Sequence, residues 1–272
     1  MYETFYGLRE KPFAMQPDPD FIYWAGGHRM AYTMLEYGVV NNLGFTVITG
    51  EIGCGKTTLV RKLIGQLDAN VTVGLLTNTR ITEGELLRWV MLALGQPFEQ
   101  STTIGLFRDF ERFLIEEYAA NRRTILIVDE AQNLGAHTLE ELRMLSNINS
   151  GKDQLLQCIL VGQPQLKNLL QSPELYQFAQ RVSSDFHLEP LMDTEVYNYI
   201  KHRVTTAGGP PDLFSRQSAR LVAEASRGVP RIINMLCDTA LVYAYAHGAN
   251  YVSLSIMETV IEERRKYGLF FS

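Results

Sequence analysis

The stretch Phe45-Thr-Val-Ile-Thr-Gly-Glu-Ile-Gly-Cys-Gly-Lys-Thr-Thr58 constrains the fold more than any other part of the chain. In it a β-rich run, a glycine-rich turn and an apolar helical stripe follow one another without interruption. Gly50 to Thr57 fit the spacing G-x-x-x-x-G-K-[ST], with Val47 and Ile48 before the turn and Leu59, Val60, Leu63, Ile64 and Leu67 after it at helical intervals. Glycines at 50, 53 and 55 let the backbone curl, so that successive N–H groups and the start of the helix point at an anion. The order predicts a nucleoside triphosphate site made by Gly50, Glu51, Ile52, Gly53, Cys54, Gly55, Lys56, Thr57 and Thr58. In it Lys56 sits on the β- and γ-phosphates and Thr57 on Mg²⁺.

The rest of the chain supplies a sheet for that loop. Val71 to Leu76 reads as a second strand, Thr124 to Val128 as a continuous apolar run ending in Asp129 and Glu130, Leu155 to Gly162 as another buried strand, and Ser184 to Leu188 as a short fifth. Helical spacing separates them, at His28 to Val40, Glu83 to Leu94, Leu106 to Ala120 and Glu174 to Gln180. The pattern predicts an α/β fold, a parallel five-stranded sheet sandwiched by helices, with its ligand site beyond the strand carboxyl ends. After Pro190 only helices follow, at Asp193 to Thr206, Ser215 to Ser226, Pro230 to His247 and Leu254 to Lys266. The expected organisation is an aromatic and proline-rich arm over residues 1–27, a nucleotide-binding domain over 28–190 and a helical lid over 191–272.

Phosphoryl transfer to water needs the phosphate held, its charge neutralised and a water aligned. Asp129 is placed to support the Mg²⁺ shell, and Glu130 is the natural base for the attacking water. Gln163, at the tip of the next strand, can bond the γ-phosphate or the water. Arg231, after Gly228-Val-Pro, can fold over the nucleotide from the lid. Arg181 can reach a neighbouring copy's γ-phosphate in a ring or filament, with Arg143 the weaker candidate for that role.

Composition narrows the partners. A net charge of −5 argues against a protein that mainly coats nucleic acid. The three cysteines, Cys54, Cys158 and Cys237, are scattered, which suggests neither a disulfide framework nor a zinc site. No leader or membrane-spanning run is visible, so the expected location is cytoplasmic, reaching the inner membrane only through a partner. A small-molecule kinase is disfavoured, because its acceptor lid would interrupt the sheet domain, whereas here the extra helices follow it.

Taken in order, Gly50 to Thr57, Ile125 to Glu130, Gln163, Arg181 and Gly-x-Pro-Arg231 resemble an AAA+ ATPase: Walker A, Walker B, a sensor, an arginine finger and a second sensor on a lid. Met1-Tyr-x-x-Phe-Tyr-Gly-Leu8, Lys11-Pro-Phe13, Pro17-Asp-Pro-Asp-Phe21, Val128-Asp-Glu-Ala-Gln132, Leu142-Arg-Met-Leu-Ser-Asn147, Leu160-Val-Gly-Gln-Pro-Gln-Leu166 and Gln180-Arg181 narrow the resemblance. They point to the ExeA/GspA-type secretion ATPases, including those of MSHA-pilus and exosortase loci. The resemblance implies ATP and Mg²⁺ as ligands, nucleotide-dependent self-assembly with Arg181 acting in trans, and a membrane-embedded envelope assembly protein as partner in secretion, pilus or exopolysaccharide systems. Some members continue into a transmembrane helix and a peptidoglycan-binding domain; this sequence shows neither, and the expectation is a shorter, soluble member. The likeness extends to transposition regulators of the MuB/TnsC kind. It therefore leaves a second expectation, a DNA-dependent ATPase regulating a transposase or other DNA enzyme, with Arg216, Arg220, Arg227 and Arg264-Arg265-Lys266 as its basic residues.

Overall fold

A computed structural model describes residues 1–77, 79–99, 102–150 and 153–267. Along the chain lie α1 (Tyr2–Phe5), α2 (Gly26–Val40), β1 (Phe45–Gly50), α3 (Lys56–Ile64), β2 (Val71–Leu76), α4 (Leu86–Ala93), α5 (Thr103–Ala119) and β3 (Arg123–Val128). They are followed by α6 (Gly135–Leu145), β4 (Asn149–Ser150), β5 (Asp153–Gln154), β6 (Leu156–Gly162), α7 (Pro164–Leu170), α8 (Tyr176–Ala179) and β7 (Val182–Leu188). The helices α9 (Asp193–Thr206), α10 (Arg216–Ser226), α11 (Pro230–Ala246) and α12 (Leu254–Tyr267) complete the described chain. Two compact units result: Met30–Gly50 with Lys62–Leu188, and Met1–Arg29 with Glu51–Arg61 and Glu189–Ser272.

The first unit is built on a five-stranded sheet in the order β2-β3-β6-β1-β7, with every pairing parallel. β1 and β6 are buried along their whole length, polar Thr46, Thr49 and Gln157 included, as central strands of a parallel sheet covered on both faces should be. The edge strands β2 and β7 are only partly covered. On one face Phe45, Leu126, Val128 and Leu160 pack with Val90, Phe110, Leu114, Leu142 and Phe178 from the helices. On the other face α2 comes close at Gly38, where a Cβ would lie 2.2 Å from Thr46 Oγ1. The amide of Gln157 there donates to the carbonyls of Gly38 and Val39 at 3.3 and 3.4 Å. Because all five strands run the same way, β1, β3 and β6 end at one edge, and Gly50, Asp129 and Gln163 leave from it.

Several boundaries differ from the sequence expectation. The apolar stripe of α3 runs on to Leu67, yet the helix stops at Ile64, with Gly65 next in the chain. The single helix expected from Glu174 to Gln180 is a 3₁₀ turn at Pro173–Leu175 followed by the short α8. The antiparallel pair β4–β5 carries no periodic apolar signal, being too short for one.

In the second unit, Val196, Ile200, Val222, Ile233, Leu236, Ala240 and Val260 make the core of α9 to α12. Ser215 caps α10 by accepting the Ser218 N–H, and Pro230 opens α11. The aromatic segment at the chain start belongs to this same core through Tyr2, Tyr6, Phe13 and Phe21. Tyr2 donates to Asp238, and Tyr6 Oη donates to the Ala249 carbonyl at 2.9 Å. Arg203, 7% exposed, donates from Nε to the Pro12 carbonyl at 2.6 Å and lies 4.7 Å from the Phe21 ring centre. A buried guanidinium is thus solvated by main-chain oxygens and an aromatic face.

The turn between α10 and α11 depends on Gly228. Its φ is +72°, and a Cβ there would fall 1.9 Å from the Leu191 carbonyl oxygen. Its own carbonyl accepts the Leu191 N–H at 2.9 Å. Gly228→Ala should therefore lower stability by roughly 2–5 kcal/mol. Gly248→Ala, where φ is +65° and nothing lies within 4 Å of the added atom, should cost only about 1–2 kcal/mol of backbone strain. Denaturant titration of the two variants checks the difference.

Candidate functional site

The loop between β1 and α3 folds as its glycines require. Gly53 and Gly55 have φ of +84° and +99°, values that side-chain-bearing residues adopt only under strain. The Cys54 N–H bonds the Glu51 carbonyl at 3.3 Å, closing the turn, and the Leu59 N–H bonds the Gly55 carbonyl at 3.1 Å to start the helix. Lys56, 6% exposed, reaches back from Nζ to the Glu51 carbonyl at 2.9 Å. Thr57 and Thr58 are half-buried in the first turn of α3, while Glu51 and Ile52 are exposed. A curled loop with an inward lysine at the start of a nine-residue helix fits a triphosphate, since its donor set is backbone N–H, ammonium and hydroxyl.

Two further groups hold this loop by its carbonyls. The Arg231 N–H, in the first turn of α11, donates to the Gly53 oxygen at 3.2 Å. The contact is so close that a Cβ on Gly53 would meet Arg231 Cβ at 2.5 Å. The sequence points to Arg231 for its guanidinium; the structure engages its main chain at the loop and leaves the residue exposed. His28 bonds the Cys54 carbonyl from Nε2 at 2.9 Å. Cys54 is fully buried, and burial pushes its thiol up to about 11.

In the sheet unit, Asp129 follows β3 and is 9% exposed. Its N–H continues the ladder to the Leu76 carbonyl, 2.9 Å, and its Oδ1 accepts the Glu130 N–H at 2.9 Å. Glu130 takes the left-handed conformation, φ 53° and ψ 40°, costing on the order of 1 kcal/mol. Its carbonyl accepts the Thr79 hydroxyl at 3.0 Å. Its carboxylate Oε2 accepts two side-chain amides, Gln132 Nε2 at 2.6 Å and Gln163 Nε2 at 2.8 Å. Gln132 Oε1 in turn accepts the Gln163 N–H at 3.0 Å. Gly162 makes room for this, because a Cβ there would lie 2.8 Å from Gln132 Oε1.

Glu130 and Gln163 are therefore brought together. Gln132 and Thr79 belong to the same cluster; sequence reading placed Gln132 only in the Val128-Asp-Glu-Ala-Gln132 motif, with no role at the site, and did not single out Thr79. Arg181 is placed elsewhere. It precedes β7, at the amino edge of the parallel sheet, roughly a seven-residue strand length or ~23 Å from the carboxyl edge. Its N–H bonds the Phe178 carbonyl at 2.9 Å, and it is half-exposed. Within one chain it does not join Glu130. Arg143 pairs with Glu140 at 2.8 Å.

Sheet order, glycine loop and acidic strand end define a P-loop fold of the AAA+ class. The AAA domain family profile matches residues 40–170. General secretion pathway protein A of Aeromonas hydrophila is 37% identical over 253 residues, covering 93% of this chain and 46% of that relative. The chain is thus similar along nearly its whole length to an ExeA/GspA-type protein and spans about half the length of this curated relative, 46%. Solved structures with the same fold include Cdc6p of Pyrobaculum aerophilum, with TM-score 0.70, 15% identity, 94% of this chain and 71% of that one. The RuvB Holliday junction branch migration motor of Thermotoga maritima has TM-score 0.60, 18% identity and coverage of 94% and 76%.

All three cysteines are buried, and burial raises the thiol pKa of Cys54, Cys158 and Cys237. A thiol that is protonated and shielded does not react. Disulfide-exchange reagent at pH 8 should label none of the three in the native chain and all of them in denaturant, which absorbance of the released thiolate checks.

Proposed function

We propose that the chain hydrolyses ATP with Glu130 as base, and that its nucleotide state controls assembly of copies that support a cell-envelope secretion, pilus or exopolysaccharide system. The observation carrying the chemistry is the Glu130 carboxylate, fixed by the amides of Gln132 and Gln163 at the carboxyl edge of β3 and β6. A base that is already oriented loses little freedom on taking a proton from water. Gln163 reports on the same carboxylate, so a ligand that draws its amide away also frees Glu130. Lys56, whose ammonium bonds the Glu51 carbonyl, offsets charge on the β- and γ-phosphates. Thr57 and Asp129 are the hydroxyl and carboxylate that would hold Mg²⁺, which when bound neutralises phosphate charge.

Arg181 sits at the opposite sheet edge, which suits action on a neighbouring copy in a ring or filament. The envelope role rests on the Aeromonas relative. No helix among the described residues is long and apolar enough to cross a membrane; the partner in this reading is a membrane-embedded envelope assembly protein. The alternative of DNA binding gains little from the basic residues. Arg216 stacks on Tyr197 at 4.8 Å, Arg220 pairs with Glu224 at 3.3 Å, and Arg264 donates to Thr239 at 3.0 Å.

Glu130→Gln should lower steady-state phosphate release by about 100-fold or more while nucleotide binding persists. Equal rates for variant and wild type would remove Glu130 as the base. Lys56→Ala should weaken ATP binding at least about tenfold, since it removes a charge-assisted contact; fluorescence titration with a labelled nucleotide checks it. With a slowly hydrolysed ATP analogue, mass photometry should show oligomers that Arg181→Ala diminishes.

A further inference from the structure

We propose that His28 is a positioning residue for the phosphate loop, holding the peptide between Cys54 and Gly55 so that the Gly55 N–H faces the nucleotide phosphates. The inference rests on the ATP-binding reading above and assigns a residue outside every nucleotide-binding motif.

The Cys54 carbonyl can only accept, so the 2.9 Å contact requires His28 Nε2 to carry the proton. His28 is 7% exposed, and burial lowers its pKa, favouring the neutral ring with that single tautomer. In a trans peptide the C=O and the following N–H point in opposite directions. Fixing the Cys54 oxygen toward the imidazole therefore fixes the Gly55 N–H away from it.

The fixing matters because Gly55, at φ +99°, has no Cβ to resist rotation. Glycine populates both signs of φ with similar ease, so a flip of the 54–55 peptide is cheap unless something holds it. A flipped peptide would present a carbonyl oxygen where a phosphate oxygen must sit, replacing attraction by repulsion. The ring is also packed against the loop: a Cβ on Gly55 would come to 3.3 Å from His28 Nε2. The neighbouring carbonyl, that of Gly53, is held separately by the Arg231 N–H at 3.2 Å. That second bond is main-chain and survives any substitution of Arg231 except proline, whereas the His28 bond depends on its side chain.

The test uses the whole chain, with His28→Phe to keep an aromatic ring without a donor and His28→Gln to return an N–H near the Nε2 position. ATP and ADP affinities, KM and kcat for phosphate release, and the thermal midpoint without nucleotide are measured. His28→Phe should weaken ATP and ADP about tenfold, the size of one hydrogen bond, raising KM with kcat within about twofold, because binding of ground state and transition state suffers alike. His28→Gln should recover affinity to within about threefold of wild type. Unchanged affinity and KM in His28→Phe, or a His28→Gln chain that is folded but as weak as His28→Phe, overturns the proposal. A loss confined to kcat overturns it as well. Failure of the wild-type chain itself to bind nucleotide is a separate result, which overturns the ATP reading.

Discussion

A parallel strand buried on both faces can be chemically active only where it ends, and that constraint organises this molecule. β1 is covered along all six residues and flanked by β6 and β7, so Gly50 emerges at a point fixed by ladders on two sides. Gly50 itself is packed so tightly that a Cβ would lie 2.5 Å from the Leu188 carbonyl. The strand's burial is thus what makes the loop's starting point reproducible. β3 and β6 end at the same edge for the same reason, and their last residues deliver Asp129 and Gln163 there. A sheet edge is the one place where backbone and acidic groups can converge without the burial cost that forbids them inside.

The Glu130 cluster shows how such an edge stores an oriented acid. The left-handed turn at Glu130 would be unfavourable alone, and the surrounding bonds stabilise it: Asp129 takes its N–H, Thr79 donates to its carbonyl, and two amides take its carboxylate. The amides come from different strands' ends, so the carboxylate also joins β3 to β6 beyond the last ladder bond. A local conformational cost of on the order of 1 kcal/mol is offset by several hydrogen bonds, each contributing about that much.

What could be read from residues follows from how local the cause is. The phosphate loop is legible because Gly50 to Thr57 need only each other to specify their conformation. The sheet is legible because β3 and β6 are largely apolar and β1 is rich in β-branched residues, each of the right length, and Pro230 marks α11 by a rule that acts within one turn. The role of Gln132 was not legible because its bonds to Glu130 and Gln163 depend on β3 lying beside β6, which no single segment encodes. The bond of His28 to the loop was not legible for the same reason: its partner is Cys54, 26 positions away. The aromatic leader was readable as a packing segment, yet nothing in Tyr2 or Phe13 says that α9 to α12 supply the other side of the core. α8 was overestimated since Pro173 and the short run after it favour a 3₁₀ turn, a distinction that apolar spacing does not make.

Arg231 separates two contributions that a motif merges. Its sequence context, Gly228-Val-Pro-Arg, draws attention to a positive charge, but the structure shows the residue's N–H on the Gly53 oxygen. Any amino acid except proline could provide that bond. What the context supplies is the path of the chain: Gly228 turns where no Cβ fits, Pro230 sets the first helical residue, and the next N–H is one of the orphan donors of a helix start. The loop and α11 are therefore coupled through main chain, independent of charge. The guanidinium remains available for a ligand without being needed to keep the loop in place. A structural contact and an electrostatic one can thus reside in the same residue and be altered separately.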